Sequence, residues 1–308
     1  MMVKDLGAIG IDHFFMLKEV EKDMLSFFYR EAFLNVNPGE PLRLRTKPIK
    51  AGHLMRVSSI IRGDQIAEYI GAKLNPTSGY ENDTCIYVKP MIRKGDDFKF
   101  EGKKAYLDII DGANLAQVAH KHPEVGVIVC SQVDYELMSK ELPNNKVVLI
   151  PQHHCNFERI RRTRTEIKTV GVIGTRGAFP FLPEGLKEAL AERGIELLEF
   201  SKFFSRQDII DFYMKIDVQI VWRPYKKILS NPLKIVNAAS FGIPTIALDE
   251  PAFKEVGACY LPVMDLSQLL NRVDLLKNPK VYADCSSNCL IKSEAYHISK
   301  IAKLYEQL

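Results

Sequence analysis

Cationic side chains are concentrated just after an apolar segment in the second half of the chain. The segment covers residues 217–222, and the cations that follow it are Arg223, Lys226, Lys227 and Lys234. Asn231 and Pro232 stand between them, and these residue types favour the N-cap and the first turn of a helix. A helix N-terminus carries unpaired N–H groups and a partial positive charge, which favour phosphate. The pattern predicts an anion site at Arg223, Lys227, Asn231 and Lys234, with a solvated basic loop as the alternative.

The predicted helix that begins at Pro232 resembles a sequence motif of a known family. Residues 234–246 read KIVNAASFGIPTI and resemble, in order and spacing, the donor-site segment of GT-B glycosyltransferases, Lys-x-x-Glu-x-x-Ala-x-Gly-x-Pro-x-Ile. Asn237 replaces the Glu that holds the donor's ribose in retaining members, and Leu229 stands where a second Glu precedes it by eight residues. The resemblance implies a Rossmann-like nucleotide-sugar domain in which the Asn237 amide binds a ribose hydroxyl. It leaves the stereochemical outcome of transfer open.

A second candidate phosphate loop follows the predicted strand at residues 169–173. Its residues are Gly174, Thr175, Arg176 and Gly177. Glycine permits a ligand to approach the backbone closely, and the loop resembles the place where related enzymes hold the diphosphate. Because a glycine after a strand is common in Rossmann-like folds, a structural role for Arg176 is equally open. The resemblance implies one donor-binding set: Gly174, Thr175, Arg176, Arg223, Lys227, Asn231, Lys234 and Asn237.

Two acids follow predicted strands of the first half and are candidate bases for removing the proton of an acceptor hydroxyl. Asp111 follows the strand at residues 104–110, and Asp64 follows the strand at residues 53–61. Residues at the carboxyl ends of parallel strands lie at the ligand crevice. A turn role for Asp111 and an N-cap role for Asp64 are the alternatives.

Arg62, His153 and His154 are the candidate acceptor-binding residues. The two histidines follow the predicted strand at residues 146–150, where they could act as a base or bind phosphate. A hinge loop between two domains explains them equally well. No Asp-x-Asp lies between a strand and a loop. The resemblance therefore implies a metal-independent enzyme without a cofactor, whose co-substrate is a nucleotide sugar, foremost a UDP-sugar.

A basic stretch lies in the first half of the chain. Residues 41–63 contain no acid and these cations: Arg43, Arg45, Lys47, Lys50, Arg56 and Arg62. An anionic polymer could lie there, and DNA with hydroxymethylated bases and a surface polysaccharide precursor are the two acceptor classes considered. A solvated basic surface is the alternative. Two other functions stay open: a sugar-nucleotide epimerase of the same fold, and a non-catalytic protein that binds a nucleotide or a polyanion.

The composition is that of a globular protein with two domains. Of the 308 residues, 46% are hydrophobic and 26% are charged, and the net charge is +4. The apolar runs fall short of the ~20 residues of a membrane helix, and the six cysteines are scattered. We therefore expect a cytoplasmic enzyme without disulfides or integral membrane association.

Strands and helices alternate along both halves, which predicts an α/β fold with two Rossmann-like, doubly wound parallel sheets facing a cleft. We expect a first domain at residues 1–162, with an amphipathic helix at residues 14–34 and a helix at residues 65–74 after the first strand. The nucleotide-sugar domain is expected at residues 163–285. By resemblance to GT-B proteins, a last helix at residues 286–308 crosses back onto the first domain.

Overall fold

The computed structural model describes residues 24–28, 57–90, 92, 98–164, 166–224 and 227–308, which form two parallel sheets. The strands of the first sheet are β1 (Leu25–Phe28), β2 (Lys73–Leu74), β3 (Thr84–Val88), β4 (Lys104–Asp108), β5 (Gly126–Val129) and β6 (Val147–Leu149). They lie in the order β2-β1-β3-β4-β5-β6. Every neighbouring pair is parallel.

Both faces of the first sheet are covered, as its apolar strands require. Ile86 and Val88 of β3 belong to an apolar cluster on one face, while Cys85 and Tyr87 belong to a cluster on the other. Side chains alternate between the faces of a strand, so a strand that is apolar at every position serves two cores. The helices beside this sheet are α1 (Val57–Ser59), α2 (Gln65–Ile70), α3 (Leu115–Lys121) and α4 (Gln132–Glu141).

The second sheet comes from the second half of the chain and has the order β11-β10-β9-β7-β8. Its strands are β7 (Thr169–Ile173), β8 (Glu196–Phe200), β9 (Val218–Val221), β10 (Thr245–Leu248) and β11 (Tyr260–Val263). Its helices are α5 (Leu186–Ala191), α6 (Arg206–Lys215), α7 (Leu233–Ser240), α8 (Leu266–Leu276) and α9 (Pro279–Ser293), followed by α10 (Ile298–Tyr305). Short 3₁₀ segments occupy Arg176–Phe181, Pro251–Cys259 and Glu294–Tyr296.

The strand order of the second sheet reverses at β7. The chain runs from β7 outward to β8, then returns to β9 on the other side of β7 and continues to β10 and β11. Open parallel sheets bind ligands beyond the carboxyl ends of the strands at such a switch point. Gly174 and Trp222, the residues directly after β7 and β9, therefore mark the expected ligand crevice.

Three elements of the first domain differ from their predictions. The predicted helix at residues 14–34 is wrong at Leu25–Phe28, which forms the buried strand β1 between β2 and β3; its other residues lie outside the described ones, except Met24. The predicted strand at residues 53–61 is wrong from Val57 onward, because α1 continues as a π-helix at Ile60–Asp64, while residues 53–56 lie outside the described ones. The predicted helix at residues 65–74 ends at Ile70, since Gly71 caps it with φ of 68° and β2 follows.

The end of the chain crosses back to the first sheet, which confirms that expectation. Ile298, Ile301 and Tyr305 of α10 are buried in the same apolar cluster as Phe27 of β1. The crossing is made by two helices rather than one, because α9 ends at Ser293 and a new helix begins after His297. The borders predicted at residues 162 and 285 stay predictions. Across the described residues, no helix has both the length and the apolar character to cross a bilayer.

Candidate functional site

A cavity of about 170 Å³ lies between the two domains at the switch point of the second sheet. The first half of the chain contributes Val57, Ile60, Ile61, Gln65 and His153 to its wall. The second half contributes Ile173, Gly174, Phe203, Ser205, Arg206, Ile209, Tyr213, Leu233, Lys234 and Asn237, and Cys155 of the connecting segment completes the wall. The cavity is mostly apolar, with a few polar groups that could orient a ligand.

Lys234 places an ammonium group beside the glycine loop after β7. Its Nζ donates a hydrogen bond of 2.7 Å to the Ile173 carbonyl oxygen, and a Cβ added to Gly174 would lie 3.3 Å from Nζ. Burial, together with the charges of Arg223 and Lys227, lowers the pKa of Lys234 to about 8. The group therefore remains largely protonated at neutral pH, and a bound anion would strengthen its charge.

Other residues of the predicted donor-binding set differ from Lys234 in their contacts and exposure. Asn231 Oδ1 accepts a hydrogen bond of 3.2 Å from the Leu233 N–H at the start of α7. Thr175 and Arg176 are exposed at the beginning of the 3₁₀ segment after β7. Asn237 lines the cavity, but its Oδ1 accepts a 2.8 Å hydrogen bond from the Cys155 N–H. Its side-chain oxygen is thus already engaged by the segment that connects the domains.

Arg223 is engaged by protein groups. Its guanidinium pairs with both carboxylate oxygens of Glu250, with 2.8 Å between Nε and Oε1, and its Nη2 donates to Ser230 Oγ at 2.9 Å. The group also lies 5.7 Å from the centre of the Phe253 ring. A bidentate pair with a carboxylate fixes the orientation of a guanidinium. Arg223 therefore fixes the loop after β9, and Lys226 of that loop lies outside the described residues.

Asp111 lies at the first domain's side of the cleft between two lysines. Its carboxylate pairs with Lys89, and Lys227 Nζ of the second domain lies 3.8 Å from Asp111 Oδ2. Burial alone would raise the pKa of Asp111, but the hydrogen bond and charge of Lys89 and the charge of Lys227 hold it below its ordinary value. A carboxylate held in this way stays ionised and is a weak base while both lysines are present.

Backbone geometry at this edge is unusual. Lys89 follows β3 with φ of 43°, and Ile110 precedes Asp111 with φ of 53°. A β-branched residue rarely adopts positive φ, and such backbone occurs frequently at functional sites. The two lie after neighbouring strands of the first sheet, where they place Lys89 and Asp111 in contact.

Asp64 and Arg62 both belong to the π-helix rather than to a loop after a strand. Burial and the charge of Glu68 raise the pKa of Asp64. Arg62 is 1% exposed and pairs through Nε with Asp108, while its Nη1 donates to the Ile150 carbonyl at 2.9 Å. Tyr305 of α10 donates a 3.1 Å hydrogen bond to the same Asp108 carboxylate. The structure therefore places Arg62 inside the first domain, away from the cleft surface.

His153 and His154 lie in the segment that connects the domains, and both are buried. His153 Nε2 lies 2.9 Å from the Ile61 carbonyl, and the ring lines the cavity. His154 packs against the His297 ring with 5.4 Å between centroids. Burial lowers the pKa of His153 to about 4 and that of His154 to about 3, so both are neutral at pH 7.

Two cleft acids were absent from the sequence-based set. Asp134 Oδ1 accepts a 3.2 Å hydrogen bond from the Ser230 N–H of the second domain. Glu255 Oε2 accepts a 2.8 Å hydrogen bond from the Gln132 N–H of the first domain. Burial raises the pKa of Asp134 to about 6. Ser131, which caps α4 directly after β5, was the available signal, since it places Asp134 at the carboxyl edge of the sheet.

No family model and no curated protein sequence matches this chain. Among solved structures, Anabaena HepE in complex with UDP matches 92% of this chain and 98% of that one, with a TM-score of 0.58 and 12% identity. The GtfA/B complex matches 73% of this chain and 56% of that one, with a TM-score of 0.52 and 12% identity. The chain has the GT-B fold.

A third GT-B match is the glycosylation-associated Gap123 complex of Streptococcus agalactiae, over 82% of this chain and 58% of that one, with a TM-score of 0.51 and 12% identity. This chain thus spans nearly all of HepE but little more than half of the GtfA/B and Gap123 chains. Within its described residues, no three His, Cys, Asp or Glu side chains are grouped to hold a metal ion.

Proposed function

We propose that this chain is a glycosyltransferase that moves a sugar from a nucleotide sugar, foremost a UDP-sugar, to a hydroxyl acceptor. The observation that carries the proposal is the Lys234 ammonium, which lies against Gly174 at the switch point and lines the cavity. A glycine turn lets a diphosphate approach the backbone, and the ammonium offsets its charge. The GT-B fold supports the proposal, since HepE has been solved with UDP and with UDP-glucose.

The departing nucleoside diphosphate gains negative charge in the transition state, and fixed positive groups stabilise it. Lys234 and the N-terminus of α7 would supply that charge from the second domain, with Gly174, Thr175 and Arg176 around the phosphates. Lys227 would approach from the loop after β9. The N-cap residue of α7 is Pro232 rather than the predicted Asn231, whose Oδ1 accepts a hydrogen bond from the Leu233 N–H. Because these groups are already cationic, we propose transfer without a metal ion.

Asp111 is the better placed of the two predicted bases. Its Oδ2 lies 3.8 Å from Lys227 Nζ of the second domain across the cleft, and Asp64 of the π-helix is the alternative base. A diphosphate that attracted Lys227 would remove one of the two cations that weaken Asp111 as a base. Donor binding would thus prepare Asp111 to take the acceptor's proton.

The acceptor is proposed to be a polymer, either hydroxymethylated DNA or a polysaccharide precursor. The basic residues Arg43, Arg45, Lys47, Lys50 and Arg56 that suggest an anionic acceptor lie outside the described residues. The two acceptors are distinguished by salt, because phosphate contacts make DNA affinity fall steeply as salt rises. A neutral polysaccharide would bind with little salt dependence.

The test is a thermal-shift screen against sugar nucleotides and free nucleoside diphosphates, followed by a turnover assay that detects released UDP. We expect one sugar nucleotide to stabilise the protein, and Lys234→Ala to abolish the shift. Lys187→Ala, which removes an exposed lysine of α5, is the matched control. The absence of a shift with every nucleotide would overturn the proposal.

A second candidate function is binding without turnover. Asn237 Oδ1 is occupied by the Cys155 N–H, and Leu229, which stands in place of an acidic residue of the resembling family, is buried. Both features reduce the polar groups available to a donor sugar. Nucleotide binding with no released UDP for any acceptor would favour this function over transfer.

A further inference from the structure

The loop between β9 and α7 inserts one side chain into the first domain. Leu229 is 1% exposed and belongs to the apolar cluster that contains Tyr87, Leu107 and Met138 of the first domain. Its neighbour Ile228 is 72% exposed. A single loop residue of the second domain is therefore part of the other domain's core.

Polar contacts flank the buried leucine on both sides. Lys227 Nζ lies 3.8 Å from Asp111 Oδ2, and the Ser230 N–H donates a 3.2 Å hydrogen bond to Asp134 Oδ1. Both acids belong to the first domain, so residues on either side of Leu229 are held by it.

The same loop also makes polar contacts within the second domain. Ser230 Oγ donates a 2.9 Å hydrogen bond to Glu250 Oε2, and Glu250 also pairs with Arg223. The contacts thus form a continuous path from the end of β9 through Ser230 to Asp134 on α4. Separation of the domains would therefore strain these hydrogen bonds and the packing of Leu229 at the same time.

A further contact between the two domains has the opposite polarity, with the carboxylate on the second domain. Glu255 of the second domain accepts the Gln132 N–H at the first position of α4, at 2.8 Å. Tyr296 donates to the other oxygen of Glu255 at 3.3 Å. Each domain therefore supplies a carboxylate to a backbone N–H of the other near the start of α4.

We propose that residues 227–231 form an interdomain latch, and that Leu229 must leave its apolar site before the two domains separate. The latch is continuous with the cavity wall, because the same loop leads into α7, which carries Lys234. Opening the latch would move Lys227 and Lys234 away from the first domain together. Control of nucleotide exchange by the latch rests on the proposed function, whereas the latch itself does not.

Amide hydrogen exchange of the ligand-free protein tests the latch. In Leu229→Ala we expect exchange of residues 227–231 and of the first turn of α4 to accelerate about tenfold or more, because loss of a buried leucine generally exceeds one tenfold step. Ile228→Ala, which shortens an exposed side chain of the same loop, is the matched control and should leave exchange unchanged. Leu229→Val gives a smaller, graded change if the alanine variant does not fold.

Three results would overturn the latch. Exchange could stay unchanged in both Leu229 variants, it could rise equally in Ile228→Ala, or it could rise uniformly through the first domain, which would make Leu229 an ordinary core residue. Because no nucleotide is present, failure of the proposed function would leave this experiment unaffected. Failure of the latch would likewise leave UDP binding at Lys234 intact.

Discussion

The carboxyl edges of the two sheets face the same cleft, but their charged groups have different partners. At the first edge, Lys89 pairs with Asp111, and Arg62 pairs with Asp108 in the interior behind it. At the second edge, Arg223 pairs with Glu250, but the partner of Lys234 is a backbone carbonyl. Positive charge that is balanced by a carboxylate stabilises the protein, whereas charge without such a balance is available to an anion. The comparison explains why we locate the phosphate site at Lys234.

The largest expected effect comes from breaking the buried pair of the first edge. Arg62→Met leaves Asp108 buried without its cation, and we expect a loss of ~3–5 kcal/mol in the free energy of unfolding. Urea unfolding followed by circular dichroism measures it. Arg159→Met breaks the exposed Arg159–Glu294 pair and should change stability little, as exposed pairs generally do. Equal losses in both variants would contradict the assigned role of burial.

The second effect concerns the second edge. Lys234→Ala removes a partly buried cation that is expected to contact phosphate, so the affinity for UDP should fall roughly 30-fold or more. Isothermal titration calorimetry measures the affinity, with Lys187→Ala as the control. An unchanged affinity in Lys234→Ala would place the phosphate elsewhere.

Asp134 is an exception at the first edge, because its hydrogen-bond partner across the cleft is a backbone N–H. Burial raises the pKa of Asp134 to about 6, so protonation of its carboxylate stabilises the folded state. That contribution to stability is present below the unfolded pKa near 4 and is lost as pH rises through about 6. The free energy of unfolding should therefore fall by on the order of 2 kcal/mol between these pH values, and Asp134→Asn should remove this dependence.

Urea unfolding at a series of pH values measures this dependence. Glu141→Gln, at an exposed acid of the same helix, is the control and should keep the wild-type profile. An unchanged profile in Asp134→Asn would show that Asp134 titrates normally.

The smallest effect is the pH dependence of UDP binding. Lys234 has a pKa of about 8 in the free protein, and a bound phosphate would raise it. Affinity should therefore fall as pH rises through 8, by up to about tenfold per pH unit. Lys234→Arg keeps its charge throughout and should give a flat profile. Titrations between about pH 7 and 9.5 would test the assignment, and a flat wild-type profile would contradict it.

Much of the second domain could be predicted because its signals are local. The strand predicted at residues 169–173 coincides with β7. Ser205 and Asp208 form a capping box at the start of α6, and Asp265 caps α8. Apolar runs between such caps determine an element without distant information.

The first domain depends more on distant contacts. The apolar residues around β1 also fit a helical period, and only pairing with β2 and β3 makes Leu25–Phe28 a strand. The candidate site also depends on contacts between residues that are distant in sequence. Arg62 pairs with Asp108 and Arg223 with Glu250, and neither partner is near in sequence. Residue type predicted the cations, but the fold decides which of them has a carboxylate partner.

A crystal structure of the protein with UDP would test the central claim most directly. We predict the diphosphate against the backbone of Gly174, with an oxygen within about 3 Å of Lys234 Nζ, the usual length of a charge-assisted hydrogen bond. UDP bound at another surface, or a cavity without nucleotide at a saturating UDP concentration, would contradict the account.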